Sequence, residues 1–216
     1  MPYAVKEIYY TLQGEGAHAG RAAVFLRFSG CNLWTGLEKD RQKGPGGCAA
    51  WCDTDFVGTD GPGGGKFQGV DELVEAVLAK WATPITPSNP AFVVCTGGEP
   101  LLQLDAELLA AFEARNVEVA AETNGTQPVP EGKLWVTVSP KANAPLRVTR
   151  GNELKLVFPQ EGVDPGQFSR LQFDRFYLQP LDGPMRVENT QRALDYCRQN
   201  PLWRLSLQTH KLIGIP

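Results

Sequence analysis

Three cysteines in the first quarter of the chain form its densest group of reactive side chains. Cys31, Cys48 and Cys52 are separated by 16 residues and then by three, and all fall on one long predicted loop. Three thiolates are enough to hold a [4Fe-4S] cluster with one iron left open for a chelating cofactor. The alternatives are a structural zinc site completed by a histidine, or three cysteines that pack in the core.

The other reactive side chains give little support to rival chemistry. Cys95 and Cys197 lie in apolar strand and helix patterns, which indicates packing. Only two histidines occur, so zinc would find few nitrogen ligands and a Ser-His or Cys-His hydrolase is disfavoured. Five cysteines, an odd number, in a chain without an export signal indicate a reducing compartment rather than a disulfide framework.

Charge and hydropathy exclude two classes of partner. The 21 basic and 24 acidic residues give a net charge of −3 without long runs of either sign, so we expect no direct nucleic-acid partner. The N-terminus lacks the basic start and apolar stretch of a signal peptide, and no segment approaches membrane-spanning length. We therefore expect a cytoplasmic protein with no membrane partner.

The elements that must position the cysteines alternate along the chain. Helical spacing of apolar residues is clearest at 71–81, 107–115 and 188–199. Short β-branched or apolar runs predict strands at 23–28, 91–95, 117–122, 134–138, 153–158, 176–179 and 204–208. This order predicts one α/β domain over residues 1–216, a partial (β/α) barrel of about six parallel strands. The stretch 139–152 shows no helical pattern, so the helical layer is expected to be incomplete.

Polar clusters follow the ends of the predicted strands. Parallel strands bring their carboxyl ends to one face, so one cavity is expected to collect these clusters. The loop-forming stretches 36–47 and 58–69 are predicted as long loops on that face. The last eight residues either fold back over the cavity mouth, with the carboxylate of Pro216 near the substrate, or form a frayed end.

The motifs around the cysteines resemble those of radical S-adenosylmethionine enzymes. Ser29-Gly30-Cys31-Asn32-Leu33 and Trp51-Cys52-Asp53-Thr54 resemble the flanks of the cluster loop, and Thr96-Gly97-Gly98-Glu99-Pro100 resembles the glycine-glycine-glutamate motif. The family places three residues between its first two cysteines and two between its last pair, so the insertion before Cys48 departs from the pattern.

This resemblance implies a [4Fe-4S] cluster held by Cys31, Cys48 and Cys52, with S-adenosylmethionine at the open iron. Trp51 would lie against the adenine, although packing of the loop is its alternative role. The carboxylate and carbonyls of the Gly98-Glu99 motif would accept from the methionyl ammonium. The remaining cofactor contacts are implied at strand ends, where each residue also has a turn or cap as its alternative: Asn124, Ser139, Pro140, Lys141, Gln179, Pro180, Leu181 and Asp182.

The N-terminal Gln13-Gly14-Glu15-Gly16, with Gly20-Arg21 and the terminal Leu207-Gln208-Thr209-His210-Lys211, narrows the resemblance to the 7-carboxy-7-deazaguanine synthases. Their substrate is a carboxylated pterin, and Arg27 would pair with its carboxylate unless a glutamate takes that role. Thr54 resembles the position that binds Mg²⁺ with the substrate's own oxygens, with a cap role as the alternative. The implied substrate contacts are Leu12, Gln13, Gly14, Glu15, Arg27, Thr96 and Pro216.

The resemblance implies conversion of 6-carboxy-5,6,7,8-tetrahydropterin to 7-carboxy-7-deazaguanine with loss of ammonia, a step of the queuosine and 7-deazapurine pathway. A radical derived from S-adenosylmethionine would abstract hydrogen from the substrate, and the cofactor would be regenerated. A flavodoxin-like or ferredoxin-like electron donor and a homodimer are implied as partners. The alternatives are a glycyl-radical activating enzyme, which acts on a protein, and a zinc-stabilised binding module.

Overall fold

The computed structural model describes residues 2–41, 43 and 47–216. Within these residues a nine-stranded sheet has the order β3-β1-β2-β4-β5-β6-β7-β8-β9. Its strands are β1 Tyr3–Leu12, β2 Ala22–Phe28, β3 Gly65–Phe67, β4 Ala91–Gly97, β5 Val117–Thr123, β6 Trp135–Val138, β7 Arg150–Phe158, β8 Gln172–Pro180 and β9 Trp203–Leu205. The helices are α1 Val70–Leu78, α2 Ala106–Ala114, α3 Arg186–Gln199 and α4 Thr209–Ile213.

The sheet is open and mostly parallel, which confirms the predicted partial barrel. Strands β2 and β4 to β9 pair in parallel, each with the next, whereas β1 and β3 are antiparallel additions beside β2. In the described part of the chain no α-helix separates β5 from β6 or β6 from β7, so the helical layer is incomplete as predicted. None of the described helices is long and apolar enough to span a membrane.

Several predicted elements differ from the observed ones, including the predicted loop 58–69, which contains the short strand β3. β1 was not predicted because its register shifts between Val5 and Glu7, which breaks the two-residue alternation that marks a half-buried strand. The last strand ends at Leu205, three residues before the predicted end, although Ser206 still donates to the carbonyl of Leu178 at 2.9 Å. The tail after this strand forms the short helix α4, Thr209–Ile213.

The two faces of the sheet have different neighbours, because successive side chains of a strand point to opposite sides. Val24, Leu26 and Phe28 of β2 join Leu73 and Phe112 of the helices in the main apolar core. The side chains that alternate with these along each strand point to the inner face of the barrel. There a separate small apolar cluster is formed by Ala23, Phe92, Val94 and Ala120.

The inner face changes from apolar to polar along the strands. At its amino end the ring of His18 lies against Phe92 and Trp135, with ring centroids 4.9 and 4.3 Å apart, and fills the bottom of the barrel. The side chains two and four residues further along the strands point to the same inner face, and many of them are polar. They include Arg27 of β2, Thr96 of β4, Glu122 of β5, Lys155 of β7 and Gln179 of β8. The strand parity therefore positions a polar site above an apolar floor.

Candidate active site

A cavity of about 570 Å³ opens at the carboxyl ends of the parallel strands. This volume lies in the range of small-molecule sites. Every candidate residue proposed from the sequence lines it except Glu99 and Pro140. The lining candidates are Leu12, Gln13, Gly14, Glu15, Arg27, Cys31, Cys48, Trp51, Cys52, Thr54, Thr96, Gly98, Asn124, Ser139, Lys141, Gln179, Pro180, Leu181, Asp182 and Pro216.

The three candidate cysteines share one wall of this cavity. Cys48 lies in a single helical turn, Gly47–Ala50, and its carbonyl accepts from the backbone N–H of Cys52 at 2.8 Å. The three residues between Cys48 and Cys52 are therefore wound into one turn, a spacing that puts positions i and i+4 on the same side. Cys31 follows β2, and its sulfur accepts from the N–H of Leu33 at 3.4 Å.

Burial favours the neutral thiols on this wall. It raises the pKa of Cys48 to about 11 and raises that of Cys31 above its ordinary value. Ligation by iron requires thiolates, so loading of a cluster must release protons from these residues. Arg41 stabilises the cysteine loop, since its guanidinium donates to the carbonyls of Ala49 at 2.7 Å and Cys52 at 3.1 Å.

The donor set fits a cluster better than a single ion. Among the described residues no three His, Cys, Asp or Glu side chains are grouped to hold one metal ion. A [4Fe-4S] cluster asks for wider spacing, because each thiolate binds a different iron. Cys95 is fully buried in the core and Cys197 packs against the β7–β8 cluster, as their apolar patterns predicted.

Gly98 allows two loops of the site to lie in direct contact. A Cβ at this position would collide with the carbonyl oxygen of Gly30 and with the side chain of Cys31. The N–H of Glu99 donates to that same carbonyl of Gly30 at 3.0 Å. The glycine-glycine-glutamate segment is therefore fixed against the loop that carries the first cysteine.

Glu99 lies behind the cavity wall rather than on it. Its carboxylate accepts from the hydroxyl of Thr123 at 2.7 Å and from the backbone N–H groups of Leu101 and Asn124 at 3.0 and 2.8 Å. The contact of this motif with a cofactor ammonium stays a prediction, and the residue of the motif that lines the cavity next to Glu99 is Gly98. Pro140 is also outside the cavity, and its carbonyl accepts from Gln160 at 3.1 Å.

A buried network centred on Lys155 forms another part of the cavity lining. Its ammonium, in a side chain only 4% exposed, pairs with Glu15 and, at 3.1 Å, with Glu122. Gln13 donates to Glu122 at 3.0 Å, and the amide of Gln179 donates to Glu15 at 3.1 Å. Burial alone would lower the pKa of Lys155, but the neighbouring carboxylates raise it by more. The pKa therefore lies above its ordinary value, and the ammonium stays charged.

This network leaves acceptors for a ligand. The side-chain oxygen of Gln179 is buried, lines the cavity and has no hydrogen-bond partner in the described part of the chain. Buried polar atoms are rarely left unpaired, so a bound group with N–H donors is expected at this position. The wall thus fits the donor-rich edge of an amino-substituted heterocycle.

Arg27 lines the cavity and is also paired with a glutamate. Its Nε donates to Glu7 at 2.7 Å and its terminal nitrogen donates to the hydroxyl of Tyr9 at 3.1 Å. The alternative salt bridge to a glutamate is therefore present. Arg27 nevertheless lines the cavity, and its unused N–H groups remain for an anion.

The C-terminal segment packs directly on the Gln13-Gly14-Glu15 loop. Both the N–H and the hydroxyl of Thr209 donate to the carbonyl of Gly14, at 3.0 and 2.8 Å. A Cβ at Gly14 would collide with the ring of His210, so glycine is required for this close approach. Pro216 reaches the cavity, and its oxygen accepts from Thr11 at 2.9 Å.

Several lining residues were missed as site residues from the sequence. Lys155 stands between Leu154 and Leu156 in a strand whose charged and apolar residues alternate, which is the signal that could have placed it inward. Gln208, His210 and Lys211 depend on how the chain returns after β9, and the sequence carries no local signal for that. Lys211 pairs with both Asp53 and Asp182, at 2.6 and 2.7 Å.

The chain is similar over its whole length to known proteins, although no protein-family model matches it. It is 57% identical over 216 residues to a 7-carboxy-7-deazaguanine synthase of Caulobacter vibrioides and 58% identical over 218 residues to one of Bordetella pertussis. Both chains are covered completely in each case. The crystal structure of QueE from Escherichia coli matches with a TM-score of 0.68 and 27% identity, over 96% of this chain and 94% of that one.

An open, mostly parallel sheet that carries three cysteines into the cavity at its carboxyl ends is the arrangement of a radical S-adenosylmethionine enzyme. Within that class, the chain belongs to the 7-carboxy-7-deazaguanine synthase family. Membership of this family replaces the two alternatives left by the sequence, a glycyl-radical activating enzyme and a zinc-stabilised module.

Proposed function

We propose that this chain converts 6-carboxy-5,6,7,8-tetrahydropterin to 7-carboxy-7-deazaguanine and ammonia. One observation carries the proposal: three thiols and a buried acceptor network line the same cavity. A cluster with S-adenosylmethionine bound supplies the radical that starts the ring contraction. The 53–58% identity to relatives that carry the synthase name supports the same reaction.

The residues of this chain then have separable tasks. Cys31, Cys48 and Cys52 hold the cluster, and Trp51 and the ends of β5, β6 and β8 hold the cofactor. Gln179, at the end of β8, accepts from an N–H group of the cofactor. Glu15 and Glu122 accept from the N–H groups of the pterin and fix its orientation, while Arg27 faces its carboxylate. The packed inner face below them excludes water from the reacting atoms.

The test is anaerobic purification followed by iron and sulfide analysis and mass spectrometry of the products. We expect an oxygen-sensitive [4Fe-4S] cluster and formation of 7-carboxy-7-deazaguanine from the carboxytetrahydropterin. A colourless protein with one zinc, or a loaded cluster that cleaves S-adenosylmethionine without converting the pterin, would contradict the proposal.

We also propose an external flavodoxin-like or ferredoxin-like donor, a homodimer and a single catalytic domain. The donor is supported by chemistry, since the cluster must receive its electron from outside the chain. The homodimer is supported by apolar side chains that are exposed near α3 and α4 and that a second copy would cover: Met185, Val187, Leu212 and Ile213. The continuous sheet supports one domain. Reduction of the cluster by each donor type tests the electron donor, and light scattering of the purified protein tests the homodimer.

Mg²⁺ is proposed to bind at Thr54, which lines the cavity directly after Asp53. Because Asp53 is already paired with Lys211, the hydroxyl of Thr54 is the protein ligand and the substrate's oxygens are the others. We expect Mg²⁺ to raise turnover, and Thr54→Ala to lose most of that stimulation, on the order of tenfold. Thr54→Ser, which keeps the hydroxyl, is the control. Equal Mg²⁺ dependence of all three proteins would end this idea.

The tail is proposed to complete the substrate side of the cavity. Deleting residues 213–216 removes Pro216 from the cavity lining and breaks its hydrogen bond with Thr11. We expect the KM for the pterin to rise roughly tenfold, as for the loss of one or two good contacts, with unchanged cluster content. Val129→Ala is the control, since its apolar side chain is exposed and lies outside both the tail and the cavity lining. An unchanged KM in the deletion variant would show that the tail has no part in binding.

A further inference from the structure

Lys141 differs from every other described lysine. Its residue is partly buried and lines the cavity, yet no carboxylate in the described part of the chain lies within ion-pair distance of its ammonium. The other lysines without such a partner, Lys39, Lys66 and Lys80, are exposed. A cation taken out of water without a counter-charge is unfavourable, so Lys141 points to an anionic partner that binds in the cavity.

The position of the Lys141 ammonium is fixed by its neighbours. It donates to the backbone carbonyl of Ser139 at 2.9 Å and to the hydroxyl of the same residue at 2.5 Å. It also lies 5.8 Å from the ring centroid of Trp51, the residue before Cys52. An ammonium has three donors, so one remains for a ligand.

The loop that carries Lys141 packs against the turn that carries Cys48. The N–H of Gly47 donates to the carbonyl of Ala142 at 2.8 Å, which joins the residues next to Cys48 and Lys141. Gln160 holds this loop from behind, because its amide accepts from the N–H of Ala142 at 3.2 Å and donates to the carbonyl of Pro140 at 3.1 Å. The ammonium is therefore held at a fixed place beside the cysteine wall.

We propose that Lys141 is the charge-compensating residue of the iron-sulfur cluster and that its ammonium raises the reduction potential of that cluster. The inference rests on the proposed function, because it requires the cluster. A cluster bound by thiolates becomes more negative when it is reduced, so a fixed neighbouring cation stabilises the reduced form more than the oxidised form. Lys141 would in this way favour the state that reacts with S-adenosylmethionine.

The carboxylate of S-adenosylmethionine is a second possible anion for the same ammonium, and the experiment separates the two. Wild type, Lys141→Met, Lys141→Gln and Lys141→Arg are reconstituted anaerobically, and the midpoint potential is measured by EPR-monitored titration without and with S-adenosylmethionine. Without the cofactor, we expect the midpoint potential of the Met and Gln variants to lie about 59 mV below the wild-type value. For one electron this corresponds to a tenfold smaller equilibrium constant of reduction. Lys141→Arg should remain near the wild-type value. Lys66→Met, at an exposed lysine, is the control.

A midpoint potential that is unchanged without S-adenosylmethionine in loaded Met or Gln variants would overturn the inference. Weaker cofactor binding alone would then assign Lys141 to the cofactor's carboxylate. The Gln variant keeps a donor for Ser139, so it remains measurable if the Met variant loads poorly. Absence of any cluster in the wild type would instead overturn the proposed function and this inference with it.

Discussion

Replacing Cys48 with alanine is expected to remove the [4Fe-4S] cluster and all cleavage of S-adenosylmethionine, and Cys31→Ala and Cys52→Ala should do the same. A three-thiolate site has no spare protein ligand, so loss of one leaves the cluster two anchors and a second open iron. We expect no detectable cluster and no detectable cleavage of S-adenosylmethionine. Iron and sulfide content and visible absorbance measure the cluster, and 5′-deoxyadenosine formation measures the cleavage.

Cys48 is the most informative of the three, because the insertion before it departs from the family spacing. Its helical turn compensates for the extra residue before Cys52 by winding the segment back toward the cavity. The matched control is Cys197→Ala, a cysteine of α3 that packs against apolar neighbours away from the cavity. Full cluster content in Cys48→Ala would remove Cys48 from the ligand set, and loss of the cluster in Cys197→Ala would show that the assay reports stability instead.

The fold was largely predictable because buried parallel strands read as short apolar runs and amphipathic helices lie between them. The predicted run at 117–122 and the observed β5, Val117–Thr123, differ by one residue. The failures lie where tertiary contacts override local pattern. β1 is interrupted by a register shift, and β3 has only three residues and exists because it pairs with β1.

The site was predictable to the extent that its residues follow strand ends or belong to motifs. Gln179 could be placed at the cavity in this way, although its unpaired oxygen and its bond to Glu15 could not. Glu99 belongs to a motif, yet only the structure shows that its carboxylate supports Thr123 and Asn124 from behind. Contacts between residues more than a hundred positions apart, such as Glu15 with Lys155, have no local signature in the sequence.

Lys155 is expected to be as important to turnover as any residue outside the cysteines. Lys155→Met removes a buried cation that pairs with Glu15 and Glu122, whose side chains are 12% and 21% exposed. Breaking a buried ion pair costs about 3–5 kcal/mol, because the partner charges stay behind without compensation. Glu15 and Glu122 would then take up a proton or move apart, and either change removes acceptors from the pterin.

We therefore expect kcat/KM for the pterin to fall roughly 10²-fold in Lys155→Met, as for the loss of two charge-assisted contacts to the pterin of about 1.5 kcal/mol each. Cluster content and S-adenosylmethionine cleavage without substrate should persist, because Lys155 pairs with Glu15 and Glu122 and with none of the three cysteines. Lys133→Met is the matched control. Its ion pair with Glu113 at 2.5 Å joins side chains 83% and 49% exposed, and such surface pairs contribute little to stability.

Steady-state kinetics with both variants, alongside thermal melts of the loaded proteins, separate a positioning role from a folding role. Addition of Glu15→Gln to Lys155→Met removes one uncompensated charge, so the double variant should recover melting temperature but not catalytic efficiency. Recovery of both would mean that Lys155 only stabilises the fold. A Lys155→Met protein with wild-type kcat/KM would show that the network does not orient the substrate at all.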